Sequence, residues 1–283
     1  MKLMSFVRGG KPGWGAATDD GVIDLGAALG GKYPSLRALL VGNGLGEAAK
    51  AAEGAKPDAG FDEIDFLPVI TDPEKILCVG LNYKTHIEET GRSDSDYPVI
   101  FSRYPDTQVG HGQAMVRPTV STSFDYEGEL AVIIGKAGRH IAEADALGHV
   151  AGYSCYNDGS VRDWQRHTHQ FLPGKNFPGT GGFGPWMVTG DEIPDPASMM
   201  LVTRLNGEEM QRSSTDMLIF TVPFLIHYIS TFTELRPGDV ISTGTPGGVG
   251  FKRQPPVFMK EGDSVEVEID KIGTLTNPIA DEG

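Results

Sequence analysis

The stretch Phe124–Gly135, FDYEGELAVIIG, decides how this chain of 283 residues folds. Its second half is almost uninterrupted apolar sequence, which is typical of a strand that is buried on both faces. Other short runs rich in β-branched or aromatic residues recur from Lys75 onward, whereas helical patterns are few. We therefore predict an α+β fold that is predominantly β, with this strand near the centre of its main sheet.

The composition excludes several classes of protein. The chain has 24 Lys and Arg against 38 Asp and Glu, a formal net charge of −14, which argues against a surface for nucleic acid or anionic lipid. The 38 Gly and 19 Pro indicate many turns. The apolar window Met217–Phe232 contains Pro223 and is too short for a membrane span, so we predict a buried helix, over Ser214–Phe232.

The termini and the cysteines bear on location. The N-terminal apolar stretch is interrupted by Ser5 and Arg8, so we expect that it is not a signal peptide. The two cysteines, Cys78 and Cys155, lie in separate strand-like runs and do not form a disulfide framework. We expect buried free thiols and a cytoplasmic protein.

The pattern of predicted strands and helices changes near residue 68. Residues 1–68 combine two short strand patterns with an Ala/Leu-rich helical segment that is interrupted by Gly42 and Gly44. Pro68 and Pro73 punctuate the linker before the dense strand pattern begins. We predict a small N-terminal α/β domain at residues 1–68 and a second domain at residues 69–283.

Three carboxylates are candidates for a metal site. Glu127 and Glu129 are spaced to share one face of a strand, about 6.5–7 Å apart along it, and Asp158 ends another apolar run. The alternative is a solvated strand face with outward charges. A central strand argues against that alternative, because buried carboxylates repel each other without a cation. Oxygen ligands of this kind suit Mg²⁺, Mn²⁺ or Ca²⁺ better than Zn²⁺.

Other polar residues are candidates for chemistry. His86 and Glu89 are three residues apart, so on a helical turn Glu89 could accept a hydrogen bond from the imidazole; an exposed surface pair is the alternative. Lys175 lies between aromatic residues in a Gly/Pro-rich loop, where a solvated lysine is the alternative.

Two further patterns have ordinary explanations. The run Gly179–Gly184 matches the G-x-G-x-x-G pattern, but a strand-like segment follows it where a nucleotide site requires a helix. Arg162 and Asp163 are adjacent near the start of a predicted helix, so we expect a structural ion pair.

Six ordered motifs resemble the fumarylacetoacetate hydrolase family and cover about residues 70–280. They are GLNY at 80–83 continuing to HIEE at 86–89, YEGEL at 126–130, ND at 157–158, RDWQ at 162–165, GKNF at 174–177 and TGTPGGVG at 243–250. The resemblance implies a mixed β-sandwich roll as the catalytic domain, a small N-terminal domain and a homodimer. It also implies a lid at residues 88–97.

The same resemblance implies roles for individual residues. The implied ligands of Mg²⁺ or Mn²⁺ are Glu127, Glu129 and Asp158. The implied catalytic residues are His86 with Glu89, which would activate water, and Lys175, which would contact substrate oxygens. The implied substrate contacts are Gln165, Thr245 and Arg103. Arg103 stands where many relatives carry Lys, and its planar guanidinium suits a carboxylate.

The function that we expect from this resemblance is metal-dependent hydrolysis of a C–C bond. The substrate would be an acylpyruvate or a related 1,3-diketo acid, similar to fumarylpyruvate or fumarylacetoacetate. One alternative is another reaction at the same enolate, either decarboxylation of an oxaloacetate-like acid or isomerisation of a hydroxymuconate-type diacid. A remoter alternative is a binding protein that a metal stabilises without catalysis.

Overall fold

The computed structural model describes residues 1–85 and 96–283, which form eighteen strands and six complete helices. The strands are β1 Lys2–Arg8, β2 Lys11–Thr18, β3 Gly21–Ile23, β4 Asp65–Phe66, β5 Ile76–Gly80, β6 Val99–Arg103, β7 Gln108–Val109, β8 Met115–Arg117, β9 Phe124–Asp125, β10 Gly128–Ile134, β11 Val150–Asn157, β12 Ser160–Val161, β13 Gly181–Thr189, β14 Met200–Leu205, β15 Glu208–Ser214, β16 Val240–Ser242, β17 Ser264–Ile269 and β18 Gly273–Asp281. The helices are α1 Leu25–Ala28, α2 Leu36–Val41, α3 Leu45–Ala52, α4 Arg162–Gln165, α5 Leu172–Lys175 and α6 Val222–Phe232.

Two mixed sheets dominate the architecture. The larger sheet has eleven strands: nine follow the order β3-β2-β1-β13-β11-β10-β16-β5-β6, while β4 pairs with β1 and β7 pairs with β13. The smaller sheet has five strands in the order β15-β14-β17-β18-β8, and β9 pairs with β12. A shared hydrophobic cluster joins the two sheets. This arrangement confirms the predicted predominantly β, α+β class.

Strand β10 lies inside the larger sheet, between β11 and β16, as its apolar sequence predicts. All seven of its residues are buried. The side chains of residues 130, 132 and 134 belong to the cluster between the sheets. Those of Ala131 and Ile133 belong to a second cluster, which also contains Leu3 and Trp14. The strand is therefore buried on both faces, so its register is strongly specified.

The N-terminal residues extend the larger sheet. Strand β1 pairs with β13, with Leu3 opposite Met187, and residues from both sides of position 68 share one hydrophobic cluster. Helices α2 and α3 are separated at Gly42–Gly44, as the interrupted helical pattern predicts. The division into domains at residue 68 stays a prediction, although the two segments share a sheet.

The long apolar window forms a shorter helix than predicted. We expected a helix from Ser214 to Phe232, but α6 begins at Val222, and the Thr221 side chain caps it by accepting a bond from the Phe224 amide at 3.3 Å. Ser214 instead pairs with Met200 in the smaller sheet. Strand pairing of Ser214 therefore prevents the helix from beginning at that residue. Among the described residues, no helix is both long and apolar enough to cross a membrane.

Gly128 allows the two sheets to approach each other closely. A Cβ atom at this position would lie 2.1 Å from Thr203 Oγ1, on a fully buried residue of β14. We predict that Gly128→Ala lowers the free energy of unfolding by about 1–3 kcal/mol, because a packed core resists extra volume.

A matched glycine provides the control for this substitution. No atom lies within 4 Å of a Cβ built at Gly46, inside helix α3, so Gly46→Ala should leave stability unchanged or slightly raised. Denaturant or thermal unfolding of both variants checks the difference. Equal midpoints for the two variants would contradict the packing argument.

Candidate active site

Three buried carboxylates meet where β10 begins and β11 ends. Gly128 pairs with Asn157, which brings Glu127 and Glu129 beside Asp158. One carboxylate oxygen from each of the three residues lies within 4.8 Å of the others, and each residue is at most 5% exposed. The alternative of a solvated strand face is therefore wrong, because the strand that presents the glutamates is central.

Three cationic side chains surround two of these carboxylates. Lys175 Nζ lies 2.6 Å from both Glu127 Oε2 and Asp158 Oδ2. Arg162 Nη1 lies 2.6 Å from Glu127 Oε1, and Arg103 Nη1 donates to Asp158 Oδ1 at 2.7 Å. Burial lowers the pKa of Lys175, but the adjacent carboxylates outweigh it and raise that pKa above its ordinary value. Lys175 is therefore a charged residue at the centre of the site.

Glu129 is the carboxylate without a cationic partner among the described residues. Its Oε2 accepts hydrogen bonds from Ser242 Oγ at 2.5 Å and from the Gly244 amide at 2.8 Å. Burial, together with the charges of Asp158 and Glu127, raises the pKa of Glu129 well above its ordinary value. A positive charge placed between the three carboxylates would remove this cost.

The donor set fits a divalent ion with hard-ligand preferences. A carboxylate oxygen has more than one lone pair, so Glu127 and Asp158 can accept their present hydrogen bonds and still coordinate an ion. Oxygen donors without nitrogen or sulfur suit Mg²⁺ or Mn²⁺. Glu127, Glu129 and Asp158 are therefore the residues that would hold the ion.

A cavity of about 670 Å³ opens onto the three carboxylates. Lys175, Gln165 and Thr245 line it, so the structure places these three predicted residues together. Gln165 Oε1 accepts a bond from Arg162 Nη1 at 3.0 Å. Thr245 Oγ1 donates to the Gly128 carbonyl at 2.9 Å. This bond connects the glycine-rich segment at 243–250 to the residue between the two glutamates.

Lys175 is buried, which the loop sequence did not indicate. It ends the short helix α5, and its side chain is 1% exposed. The solvated-lysine alternative is therefore wrong. Its position depends on carboxylates far away in sequence, so the local pattern around it could not reveal its burial.

Arg103 does not line the cavity, in contrast to the expected substrate contact. Its side chain is fully buried and donates to Asp158, to the Gly159 carbonyl at 2.9 Å and to Thr180 Oγ1 at 2.7 Å. These contacts use the planar guanidinium inside the protein. Arg103 therefore orients Asp158 from outside the cavity lining, and its contact with a substrate stays a prediction.

Arg162 and Asp125 are residues of the buried charge network that the sequence interpretation did not place in the site. The expected pair with Asp163 is wrong: Arg162 Nε lies 2.8 Å from Asp125 Oδ2, and Asp163 accepts a bond from Ser121 Oγ instead. Arg162 lines the cavity, and its Nη2 has no hydrogen-bond partner among the described residues. The one indication of this in the sequence was that Asp125 lies two residues before Glu127.

Asp125 also binds the backbone of the loop at residues 250–251. It is fully buried and accepts bonds from the amides of Gly250 at 2.9 Å and Phe251 at 3.0 Å. Burial raises its pKa, while the Arg162 guanidinium opposes that rise. Asp125 therefore connects the inner site to the cavity wall at residues 250–252.

The predicted acid–base pair of His86 and Glu89 lies outside the described residues. Of the predicted lid at residues 88–97, only Asp96 and Tyr97 are described. The roles of the pair and of the lid stay predictions.

The comparison with family models supports the resemblance found in the motifs. A model described as the C-terminal domain of fumarylacetoacetate (FAA) hydrolase matches residues 75–280. This chain belongs to the fumarylacetoacetate hydrolase family. The matched segment contains all three carboxylates, Lys175 and the residues that line the cavity.

Individual relatives differ in the reactions that their names state. The human protein named mitochondrial oxaloacetate tautomerase FAHD2B is 42% identical over 237 residues, which cover 83% of this chain and 76% of the relative. The crystal structure of a putative HpcE protein from Mycobacterium smegmatis is 35% identical, with a TM-score of 0.89 and full coverage of both chains. Maleylpyruvate hydrolase from Sphingobium sp. SYK-6, solved with manganese(II) and pyruvate, is 27% identical, with a TM-score of 0.83 and full coverage of both chains.

These relatives support a family enzyme that uses a divalent ion. The predicted hydrolase activity is not established by them, because the human relative is named a tautomerase. That relative is also named mitochondrial, whereas the cytoplasmic location and the homodimer expected here stay predictions.

The raised pKa of Glu129 predicts a link between protons and metal binding. The carboxyl group must lose its proton to bind an ion, so Mn²⁺ binding should release protons and weaken as the pH falls. Calorimetric titration in buffers of different ionisation enthalpy measures the released protons.

A serine variant sharpens this prediction. Ser242→Ala removes a bond that lowers the pKa of Glu129, so Mn²⁺ affinity should fall about tenfold and show a stronger pH dependence. Ser154→Ala is the control, because Ser154 is buried and, among the described residues, its hydroxyl donates only to carbonyl oxygens. A Mn²⁺ affinity that is independent of pH in the unmodified protein would contradict this account of Glu129.

Proposed function

We propose that this protein interconverts the keto and enol forms of a short 2-oxo acid, with oxaloacetate as the first candidate. The observation that carries the proposal is the convergence of Glu127, Glu129 and Asp158 around Lys175 in one cavity. The name of the human relative, at 42% identity, supports oxaloacetate tautomerisation over the hydrolysis expected from the motifs.

The reaction moves protons and leaves the carbon skeleton intact. A proton leaves C3 of the oxo acid, the electron pair forms the C2–C3 double bond, and a proton joins the C2 oxygen. Negative charge develops on that oxygen during the transfer. We assign this proton transfer to His86 with Glu89, the pair that the family resemblance implies for activation of water. The site must therefore hold the oxo acid and stabilise charge at its C2 oxygen.

The bound ion would supply one part of that stabilisation. A divalent ion held by Glu127, Glu129 and Asp158 would act as a Lewis acid toward substrate oxygens. The side chains beside the ion would supply the remaining stabilisation of the C2 oxygen, because buried, oriented donors need little reorganisation when charge develops.

Lys175 and Arg162 can donate directly to an oxo acid in this cavity. Two of the three Lys175 protons are directed to carboxylates at 2.6 Å, whereas its contact with the Asp158 carbonyl is longer, at 3.3 Å. A substrate oxygen can replace that weak contact. Arg162 Nη2, which lacks a partner among the described residues, adds a second donor on the same cavity wall.

Hydrolysis of an acylpyruvate is the second candidate function. It is favoured by the related maleylpyruvate hydrolase, whose structure contains manganese and pyruvate. Both reactions pass through charge on an oxo-acid oxygen, so the inner residues serve either one. The walls of the cavity and the acid–base group determine which bond changes.

A parallel assay separates these functions. Metal-depleted protein is supplied with Mg²⁺ or Mn²⁺, and we measure the enol–keto equilibration of oxaloacetate by absorbance, its decarboxylation by release of CO₂, and acylpyruvate cleavage. We expect metal-dependent acceleration of the equilibration. Cleavage of acylpyruvate without acceleration of oxaloacetate equilibration would overturn the proposal and support the second candidate.

Lys175→Met tests the assigned donor. We expect kcat to fall about 10²–10³-fold, because an oriented donor to a developing oxyanion is lost. Mn²⁺ binding should persist, since the change removes a positive charge from the carboxylates. Lys136→Met, at an exposed residue outside the cavity lining, is the matched control. Unchanged kcat in Lys175→Met would show that Lys175 is structural.

A further inference from the structure

The buried side chain of Gln211 connects the strand that presents the glutamates to the glycine-rich segment at 243–250. Gln211 lies on β15 of the smaller sheet and is 2% exposed. Its Oε1 accepts a bond from the Gly128 amide at 3.0 Å. Its Nε2 donates to Thr245 Oγ1 at 2.8 Å and to the Pro246 carbonyl at 2.9 Å. Three segments that are far apart in sequence therefore meet at one carboxamide.

These partners fix which end of the Gln211 carboxamide faces which group. A backbone amide only donates, so the oxygen of the carboxamide must face Gly128. A backbone carbonyl only accepts, so the nitrogen must face Pro246. The second proton on that nitrogen is then directed to Thr245 Oγ1. The chemistry of the backbone groups alone therefore sets the orientation of this side chain.

This orientation determines what the Thr245 hydroxyl can still do. A hydroxyl has one proton and two lone pairs. One lone pair accepts the bond from Gln211, and the proton is donated to the Gly128 carbonyl at 2.9 Å. Gly128 is buried, so turning this proton toward a ligand would cost the bond to a buried carbonyl. The capacity that remains to the hydroxyl is one lone pair, which accepts.

We propose that Gln211 is a positioning residue that presents the Thr245 hydroxyl to the ligand as a hydrogen-bond acceptor. Thr245 lines the cavity together with Glu127 and Glu129, whereas Gln211 is not among the described residues that line it. Gln211 therefore acts through Thr245. An acceptor at this position favours a ligand oxygen that carries a proton over a carbonyl or carboxylate oxygen.

This preference bears on the two forms of a 2-oxo acid. The enol form has a hydroxyl at C2, which can donate to Thr245, whereas the C2 oxygen of the keto form can only accept. The inference rests on the proposed function, because it assumes that the C2 oxygen of the ligand meets Thr245. It goes further by naming the residue that makes the site favour the enol.

Binding of two matched ligands at saturating Mg²⁺ tests this proposal without turnover. L-Lactate and pyruvate have the same number of carbons and one carboxylate each, but only lactate has a proton on its C2 oxygen. Gln211→Met keeps the side-chain length and removes the carboxamide, so the Thr245 hydroxyl loses one of its two anchors and can turn to donate. We expect the ratio of lactate affinity to pyruvate affinity to fall about tenfold.

Variants of Thr245 show whether Gln211 acts through that residue. Thr245→Val removes the acceptor, so the affinity ratio should fall by a similar factor, whereas Thr245→Ser keeps the hydroxyl and should keep the ratio. The double variant Gln211→Met/Thr245→Val should show no further fall beyond Thr245→Val, because the two residues act as one unit.

Thr215→Val is the matched control for lost stability. The Thr215 hydroxyl is buried, accepts from the Met199 amide at 2.9 Å and donates to the Pro196 carbonyl at 2.6 Å. Thr215 is not among the described residues that line the cavity. This variant should lower the unfolding midpoint, as Gln211→Met does, and leave the ratio of lactate affinity to pyruvate affinity unchanged.

The contrary outcomes are distinct. An unchanged affinity ratio in Gln211→Met or in Thr245→Val, falls that add in the double variant, or an equal fall in Thr215→Val would each overturn the proposal. If the ratio responds as expected but the protein does not equilibrate oxaloacetate, the proposed function fails while the assignment of Gln211 stands.

Discussion

The arrangement of the site depends on one electrostatic constraint. A group of carboxylates is buried at the ends of two central strands, and cations must compensate their negative charge. Lys175, Arg162 and Arg103 compensate Glu127, Asp158 and Asp125, whereas Glu129 receives only hydrogen bonds from Ser242 and Gly244 among the described residues. The hydrophobic clusters on both faces of β10 keep this strand buried, so the glutamates cannot turn to solvent. Glu129 is therefore the carboxylate whose charge a bound divalent ion would compensate most directly.

The same network extends from the ion site to the cavity wall. Asp125 contacts Arg162 on one side and the backbone of residues 250–251 on the other, so the aromatic ring of Phe251 has a fixed relation to the inner carboxylates. Arg103 fixes Asp158 from behind in a comparable manner. Rigid support of this kind keeps charged donors oriented before a ligand arrives.

Much of this arrangement could be predicted from the sequence, because the spacing of apolar and acidic residues indicates the strands and their faces. The apolar run after Glu129 indicates a central strand, the two-residue spacing of Glu127 and Glu129 indicates a shared face, and Asp158 follows a second apolar run. The partners of Arg103 and Arg162 could not be predicted in the same way, since Asp158 lies 55 residues from Arg103 and Asp125 lies 37 residues from Arg162. Likewise, pairing within the smaller sheet moved the start of α6 to Val222. Local patterns indicate elements and faces, whereas charge partners depend on tertiary pairing.

The central claim is that Glu127, Glu129 and Asp158 together bind one divalent ion. Anomalous diffraction from crystals grown with Mn²⁺ tests it most directly, since the signal locates the metal without reference to activity. The account predicts one strong peak within coordination distance of an oxygen from each of the three carboxylates, and loss of that peak in Glu129→Gln. A manganese peak elsewhere in the chain with none between these residues, at a concentration that saturates binding in solution, would contradict it.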